Sequence, residues 1–323
     1  MSLSVVILAA GQGTRMKSRL PKVLHQAAGR SLLGYMVGIA KQLEPSRIII
    51  VIGHEAAQVR AAFAEDTSLT FVEQREQLGT GHALMQARAA LSEANGDVLV
   101  LNGDGPLLLE PDTLRELQHM QPAGGMAVLT CIASNPTGLG RIIRQADGSV
   151  TGIVEEKDAS DAERTINEIN TGIFLFNHDV LALLDKLDND NAQGEYYITD
   201  LLRLYLAANK PVQALARRDE DQLLNCLVND RRQLARVDKL LRDAIRERWL
   251  TAGVTMIAPE QTFIDDTVTL ERDVILYPGV WLGGTTTVGE GAKVMPHAVL
   301  TDCHIAPNTV VNAGTVATDK RFT

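Results

Sequence analysis

The run Ser4-Val-Val-Ile-Leu-Ala-Ala-Gly-Gln-Gly-Thr-Arg-Met16, followed by Leu20-Pro-Lys22, decides how the first half of the chain folds. Residues 4–10 are apolar without alternation. That pattern describes a strand covered on both faces, as in a parallel sheet between helix layers. The strand enters a turn at Gly11 and Gly13, where the missing Cβ atoms let backbone N–H groups close on an anion. Arg15 and Lys22 then bring formal positive charge to the same turn. A Rossmann fingerprint would need GxGxxG opening a helix, whereas this run reads GxGTRM with Pro21 close behind. A Walker A loop would need four residues between its glycines and then Gly-Lys-Ser/Thr. The motif is therefore a third kind of phosphate loop.

Working outward, residues 47–53, 97–104 and 126–133 repeat the continuous apolar pattern. Helical stretches are expected between them at 32–43, 56–65, 79–94 and 111–120. This alternation predicts a doubly wound α/β domain with ligands beyond the carboxyl ends of the strands. Further on, 141–158 reads as a hairpin turning at Asp147-Gly148, and 168–177 as another strand. Helices at 178–187 and 198–209 and a strand near 212–217 follow. An amphipathic helix, 231–251, carries Leu234, Val237, Leu240, Leu241 and Ile245 at 3–4 spacing and stops at Gly253.

The last 70 residues hold an internal repeat. Ile264, Leu270, Leu276, Leu282, Val288, Val294 and Leu300 fall on a period of six, which slips by one residue and resumes at Ile305 and Val311. Val268, Val274, Val280, Thr286, Ala292 and Ala298, then Thr309 and Thr315, follow four places behind. Hexapeptide repetition predicts a parallel β-helix of roughly three coils, the aliphatics pointing inward and the small residues turning corners. The expected divisions are a domain over 1–228, a connecting helix over 229–252 and a short β-helix over 253–323.

Composition narrows the function. The chain has 323 residues, 45% hydrophobic and 22% charged, with a formal charge of −9. An acidic chain without a basic block excludes nucleic acid and anionic membranes as expected partners, so any phosphate site is made locally. Cys131, Cys226 and Cys303 are too few and too scattered for a disulfide framework or a CxxC metal knuckle, and reduced thiols are expected. No apolar run approaches the ~18 residues of a membrane span. The start has no cationic n-region. A cytoplasmic location is expected.

The motif AAGxGTRM with LPK resembles the sugar-1-phosphate nucleotidyltransferases. Further motifs point the same way: Glu76-Gln-Leu-Gly-Thr-Gly-His-Ala83, Asn102-Gly-Asp104, Pro136-Thr-Gly-Leu-Gly-Arg141, Gly152-Ile-Val-Glu-Glu-Lys-Asp158, Glu168-Ile-Asn-Thr-Gly172 and Asn191-Ala-Gln-Gly-Glu-Tyr-Tyr-Ile-Thr-Asp200. Together they resemble the N-terminal half of the bacterial bifunctional N-acetylglucosamine-1-phosphate uridyltransferase/glucosamine-1-phosphate acetyltransferase family, over about residues 3–250. The resemblance implies a Rossmann-like nucleotidyltransferase domain followed by a left-handed β-helix. It also implies a reaction of UTP with N-acetylglucosamine 1-phosphate. Leu8, Ala9, Ala10, Gly11, Gly13 and Thr14, with Arg15 and Lys22 as the catalytic cations, would hold the phosphates of UTP. Gln74, Gly79 and Thr80 would read the uracil edge. Asp104 and Asn229 would ligate Mg²⁺. Gly140, Glu155, Asn170 and Thr199 would hold the acetylated amino sugar, with Tyr197 lining that pocket. Association into a homotrimer through the β-helix is a further implication.

Elementary chemistry agrees with parts of this. Asp104 stands at the carboxyl end of an apolar strand, where such sheets present ligands, and Mg²⁺ needs only one or two protein oxygens beside phosphate and water. A turn or helix cap is the competing role for Asp104, and an N-cap of the following helix for Asn229. The nucleophile, a phosphate oxygen, is already anionic, so no general base is expected. His25 and His82 are accordingly read as packing residues. Two departures from the family pattern stand out. Asn102 occupies a usual Tyr position, and Gly105 replaces a usual aliphatic and is expected to loosen the metal loop. Acetyl transfer is not expected of residues 1–323, because the motifs for it have no counterpart here. A related nucleotidyltransferase of other base or sugar choice, a regulatory subunit with a dead site and a trimeric scaffold are the competing readings.

Overall fold

The computed structural model describes residues 2–218 and 223–323. Two compact units divide the chain: Met1–His25 with Leu32–Gln233, and Gln26–Ser31 with Leu234–Thr323. The first division after residue 200 thus falls inside the helix expected at 229–252.

The first unit is built on a mixed sheet. Its main path runs, in order, through Val212–Arg217, Met126–Ile132, Glu168–Phe176, Gly96–Asn102, Ser2–Ala9, Arg47–Ile52 and Leu69–Glu73. Ser2–Ala9 lies between Gly96–Asn102 and Arg47–Ile52, parallel to both. Val5, Val6, Ile7, Val100, Ile49 and Ile50 have no exposed surface, which is why these strands read as unbroken apolar runs. Glu168–Phe176 is antiparallel to both of its neighbours along that path, which makes the sheet mixed. Its pairing with Met126–Ile132 shifts between Asn170 and Ile173. A bulge of this kind re-aims side chains at a sheet's edge of activity, and it falls among the residues that line the candidate site.

The expected hairpin is present as Arg141–Arg144 paired with Val150–Val154, with Gly148 at φ 86°. The strand Leu69–Glu73 leaves no apolar run in the sequence because it is short, half-buried and at the edge of the sheet. The helix expected over 79–94 is two pieces, Thr80–Gln86 and Arg88–Ser92. That expected over 178–187 shortens to Val180–Leu183 with a 3-10 turn at Leu184–Lys186.

In the second unit, the helix Arg231–Thr251 buries Val237, Leu241, Arg242 and Ile245. Leu234 and Leu240 of the expected stripe are only half-buried. Buried Arg242 is paired with Asp238 at 3.0 Å and Asp265 at 3.3 Å, and its guanidinium lies over the Trp281 ring. The hairpin Gln26–Ala27/Arg30–Ser31 belongs to this unit through Asp238, which accepts the Ala28 N–H at 2.7 Å. After the helix comes a short left-handed parallel β-helix whose three faces each hold four strands, a level more than the hexads alone suggested. The nine repeating aliphatics are all buried, none more than 4% exposed. Strand partners are 18 residues apart at Phe263 and Trp281 but 17 apart at Thr287 and His304. The slip is absorbed at the corner Asp302, which sits at φ 53° while its carboxylate accepts the Thr285 N–H.

Candidate functional site

Ser2–Ala9 delivers the glycine turn to the carboxyl edge of the sheet. Gly13 lies at φ 60°, and a Cβ built there would come within 2.6 Å of Lys22 Cβ. Only glycine lets the turn press against the lysine stem. Pro21 opens the 3-10 turn Lys22–Leu24 and so directs Lys22 back across that turn. Its ammonium is paired with the Asp104 carboxylate, and Asn229 Oδ1 lies 3.4 Å from it. Arg15 donates to the same Asn229 oxygen at 2.8 Å. Two cations from the glycine-turn segment and two oxygen acceptors, Asp104 and Asn229, from segments far along the chain therefore form one cluster.

Backbone contacts hold that cluster together. The Asp104 carbonyl accepts the Val228 N–H at 3.3 Å, joining the loop that carries Asp104 to the segment that carries Asn229. Gly105 tightens this junction, contrary to the expected loosening. It lies at φ 131°, and a Cβ there would stand 2.6 Å from the Cys226 carbonyl oxygen. An aliphatic side chain would force the two segments apart. Asn229 is not the cap of the helix after it. Asp230 accepts the Gln233 N–H at 2.8 Å, while the Gln233 side chain accepts the Asn229 N–H. The Asn229 carboxamide is thereby left for the cluster.

Two adjoining pockets share Leu8, Thr80, Asn102 and Asp104 as a common wall. The first takes in Ala9, Ala10, Gly11, Lys22, Gln74 and Gly79 from the expected nucleotide set. Gly13, Thr14 and Arg15 are not among its lining residues. Gln74 is buried and donates to the Gly79 carbonyl at 3.0 Å, with His82 Nδ1 at 3.1 Å. The second pocket takes in Gly140, Glu155, Asn170, Thr199 and Asn229. Gly140 leaves room for Glu155, whose Oε2 would be 3.3 Å from a Cβ there. Burial pushes the Glu155 carboxyl above its ordinary range; a Thr199 hydroxyl donating at 3.1 Å opposes this, and Asp158 and Asp200 add to it. Tyr197 does not line the second pocket. It lines a neighbouring depression on the other side of Glu155, and its hydroxyl accepts from Gln193 at 2.8 Å.

Neither His25 nor His82 lines either pocket. Both ring nitrogens of His82 have glutamine partners, Gln74 and Gln86, at 3.1 Å. His25 is buried with Arg231 3.2 Å from Nδ1, and burial followed by that guanidinium holds its pKa low. Gln77, Glu195 and Thr171 also line the pockets and were missed in the sequence. The Asp104–Val228 contact was missed too, and no local pattern marks a backbone bond across so long a stretch.

Two hard oxygen donors already facing one ammonium suit a divalent cation completed by phosphate and water. Among the described residues no group of three or more His, Cys, Asp or Glu forms a protein-only metal cage. No helix there is long and apolar enough to cross a membrane.

Residues 4–254 match the nucleotidyl transferase family. The chain is 45% identical over 322 residues to the bifunctional protein GlmU of Syntrophotalea carbinolica, covering 99% of this chain and 68% of that protein. It is 44% identical over 313 residues to the bifunctional protein GlmU of Thermus thermophilus, covering 97% and 68%. The chain thus spans about two thirds of the length of these relatives. A crystal structure from Bacillus anthracis, assigned as a glucose-1-phosphate thymidylyltransferase in complex with a sucrose, shares the fold. Its TM-score is 0.59 at 20% identity, over 75% of this chain and 96% of that one.

Proposed function

Because the chain belongs to the nucleotidyl transferase family, we propose that it transfers the uridylyl group of UTP to N-acetyl-α-D-glucosamine 1-phosphate, giving UDP-N-acetylglucosamine and pyrophosphate. The observation that carries this reading is the meeting of Arg15, Lys22, Asp104 and Asn229 where two pockets share a wall. A reaction between two phosphoesters needs such a junction. The attacking oxygen is anionic at neutral pH, so the obstacle is repulsion between the two substrates rather than a missing base.

Arg15 and Lys22 offset that repulsion and stabilise the charge that gathers on the departing pyrophosphate. The turn at Gly11 holds the triphosphate with backbone N–H groups. Gln74, Gly79 and Thr80 orient the base, and Gly140, Glu155, Asn170 and Thr199 orient the sugar for in-line attack on the α-phosphate. Asp104 and Asn229 would hold Mg²⁺, which when bound supplies Lewis-acid charge withdrawal at the phosphates.

A pyrophosphate-release assay tests the reading. UTP with N-acetylglucosamine 1-phosphate and Mg²⁺ is expected to outpace dTTP, CTP or GTP, and glucosamine 1-phosphate is expected to be a poor acceptor. Faster release with another base or with the unacetylated sugar would reassign the substrates. Acetyl-CoA with glucosamine 1-phosphate is expected to yield no acetylated product from these residues.

The reading places the enzyme in the cytoplasm, where its three buried cysteines, none in a disulfide, stay reduced, and gives it no nucleic-acid or membrane partner. It also makes the β-helix the surface of a homotrimer. Phe263, Trp281, Val299 and Val316 are paired in register on one face, and all four are exposed. Sedimentation of the purified chain decides this: a single species at monomer mass would remove the trimer from the proposal.

A further inference from the structure

We propose that in the substrate-free protein the Lys22 ammonium occupies the place a divalent cation takes between Asp104 and Asn229, so that metal entry and Lys22 release are one exchange. The inference rests on the reading of those two residues as metal ligands. Lys22 Nζ is ion-paired with Asp104 Oδ2 and lies 3.4 Å from Asn229 Oδ1. The pair is largely withdrawn from water, with 14% of the Lys22 and 21% of the Asp104 side chain exposed. The oxygens that a hard cation would use therefore already face a cation.

The surrounding structure keeps them so. The Lys22 stem is pressed by the turn at Gly13. The Asp104–Val228 backbone bond fixes the two ligand-bearing segments side by side. Arg15 holds the outer side of Asn229 Oδ1 at 2.8 Å. Lys22 thus neutralises the Asp104 carboxylate, while Arg15 sits on the Asn229 amide oxygen with Asp230 close enough to feel its charge, so a metal arriving at Asp104 finds that carboxylate already paired. A divalent ion added beside an unmoved Lys22 would meet strong repulsion at this range in a partly buried site. The ion instead competes with Lys22 for Asp104. A triphosphate in the adjoining pocket changes that balance, because it offers the released ammonium a new anionic partner. Metal and nucleotide therefore bind cooperatively, through a coupling free energy that Lys22 carries. Metal alone is held weakly, and the cation needed at the phosphates is set free when both are present.

The test is Mn²⁺ binding to the whole chain without substrates, read from the paramagnetic resonance signal of free Mn²⁺. Lys22→Met keeps the aliphatic stem and removes the ammonium. It is expected to tighten Mn²⁺ binding by about tenfold or more, although the same change lowers turnover. Arg15→Met frees only the amide oxygen and is expected to give a smaller gain. Lys22→Arg keeps a cation in place and is expected to stay near wild-type affinity. Asp104→Asn in the Lys22→Met background is expected to abolish the gain. Unchanged or weaker Mn²⁺ binding in Lys22→Met overturns the exchange, as does an equal gain in Arg15→Met, which would reveal only a general positive field. If Asp104→Asn still abolishes binding in those cases, the metal-ligand reading survives alone. Mn²⁺ binding indifferent to Asp104→Asn overturns both. Should Lys22→Met not fold, Lys22→Gln carries the same expectations and the same refutations.

Discussion

Gly13 positions the site through what it lacks. At φ 60°, with the Lys22 stem where its Cβ would be, it admits no side chain without moving Lys22. Gly13→Ala is expected to cost roughly 1–2 kcal/mol of stability from the left-handed conformation and to lower turnover by about two orders of magnitude from misplacement. Paired thermal melts and steady-state rates check this, and a variant with normal turnover would detach Gly13 from Lys22. Asp104→Ala is expected to reduce kcat by about 10²–10³, the scale for removing a charge-stabilising group, while its Tm stays close to wild type. Glu155 carries a pH signature. Burial holds its carboxyl above the ordinary range, against the Thr199 hydrogen bond. The folded protein thus binds that proton more tightly than the unfolded chain does. The contribution to stability is complete below the unfolded value near about 4.3 and is lost as pH rises through the raised one. Glu155→Gln should therefore be more stable than wild type at neutral pH, and the difference should shrink as pH falls toward the unfolded carboxylate range. Denaturation midpoints at both ends of that range measure it; a gain independent of pH would contradict the burial argument.

Elements show which features a sequence can carry. Strands whose two faces are both covered, such as Ser2–Ala9 and Arg47–Ile52, announce themselves because residues 5–9 and 48–52 are apolar without a break. The hexads of the β-helix do so because each inward position must be aliphatic, and Leu282→Ala, at a site with no exposed surface, is expected to cost about 2–5 kcal/mol. Chemical denaturation checks that figure. What could not be read depends on partners far along the chain. The antiparallel entry of Glu168–Phe176 is set by its neighbours, not by its own pattern. Its buried Glu168 is satisfied by Arg144 at 2.7 Å and Thr130 at 2.7 Å, and neither residue is near it in sequence. Arg242, a charged residue with no local sign of burial, is buried against Asp265 and Trp281. The candidate site divides in the same way. Its glycine turn, Lys22 and Asp104 stand out as local motifs, whereas Gln74 is singled out only by the family resemblance. The place of Tyr197 outside the pocket lined by Glu155 and Asn170 and the need for glycine at 105 are products of tertiary contact, and the cap at Asp230 rather than Asn229 is a matter of local geometry that either residue type permits.

At the scale of the whole molecule, a chain with a formal charge of −9 gathers two cations at one junction. That contrast suits two polyanionic substrates that must be admitted one beside the other and nowhere else on the surface. The claim at the centre of this account is that the junction seats a triphosphate and its divalent ion between the glycine turn and the Asp104–Asn229 pair. Anomalous scattering from a crystal of the chain grown with Mn²⁺ and a non-hydrolysable UTP analogue measures this directly. The account predicts a manganese peak bonded to Asp104 and Asn229, with Lys22 moved from Asp104 onto a phosphate oxygen. A peak away from both side chains, or a triphosphate bound outside the turn at Gly11, would contradict it.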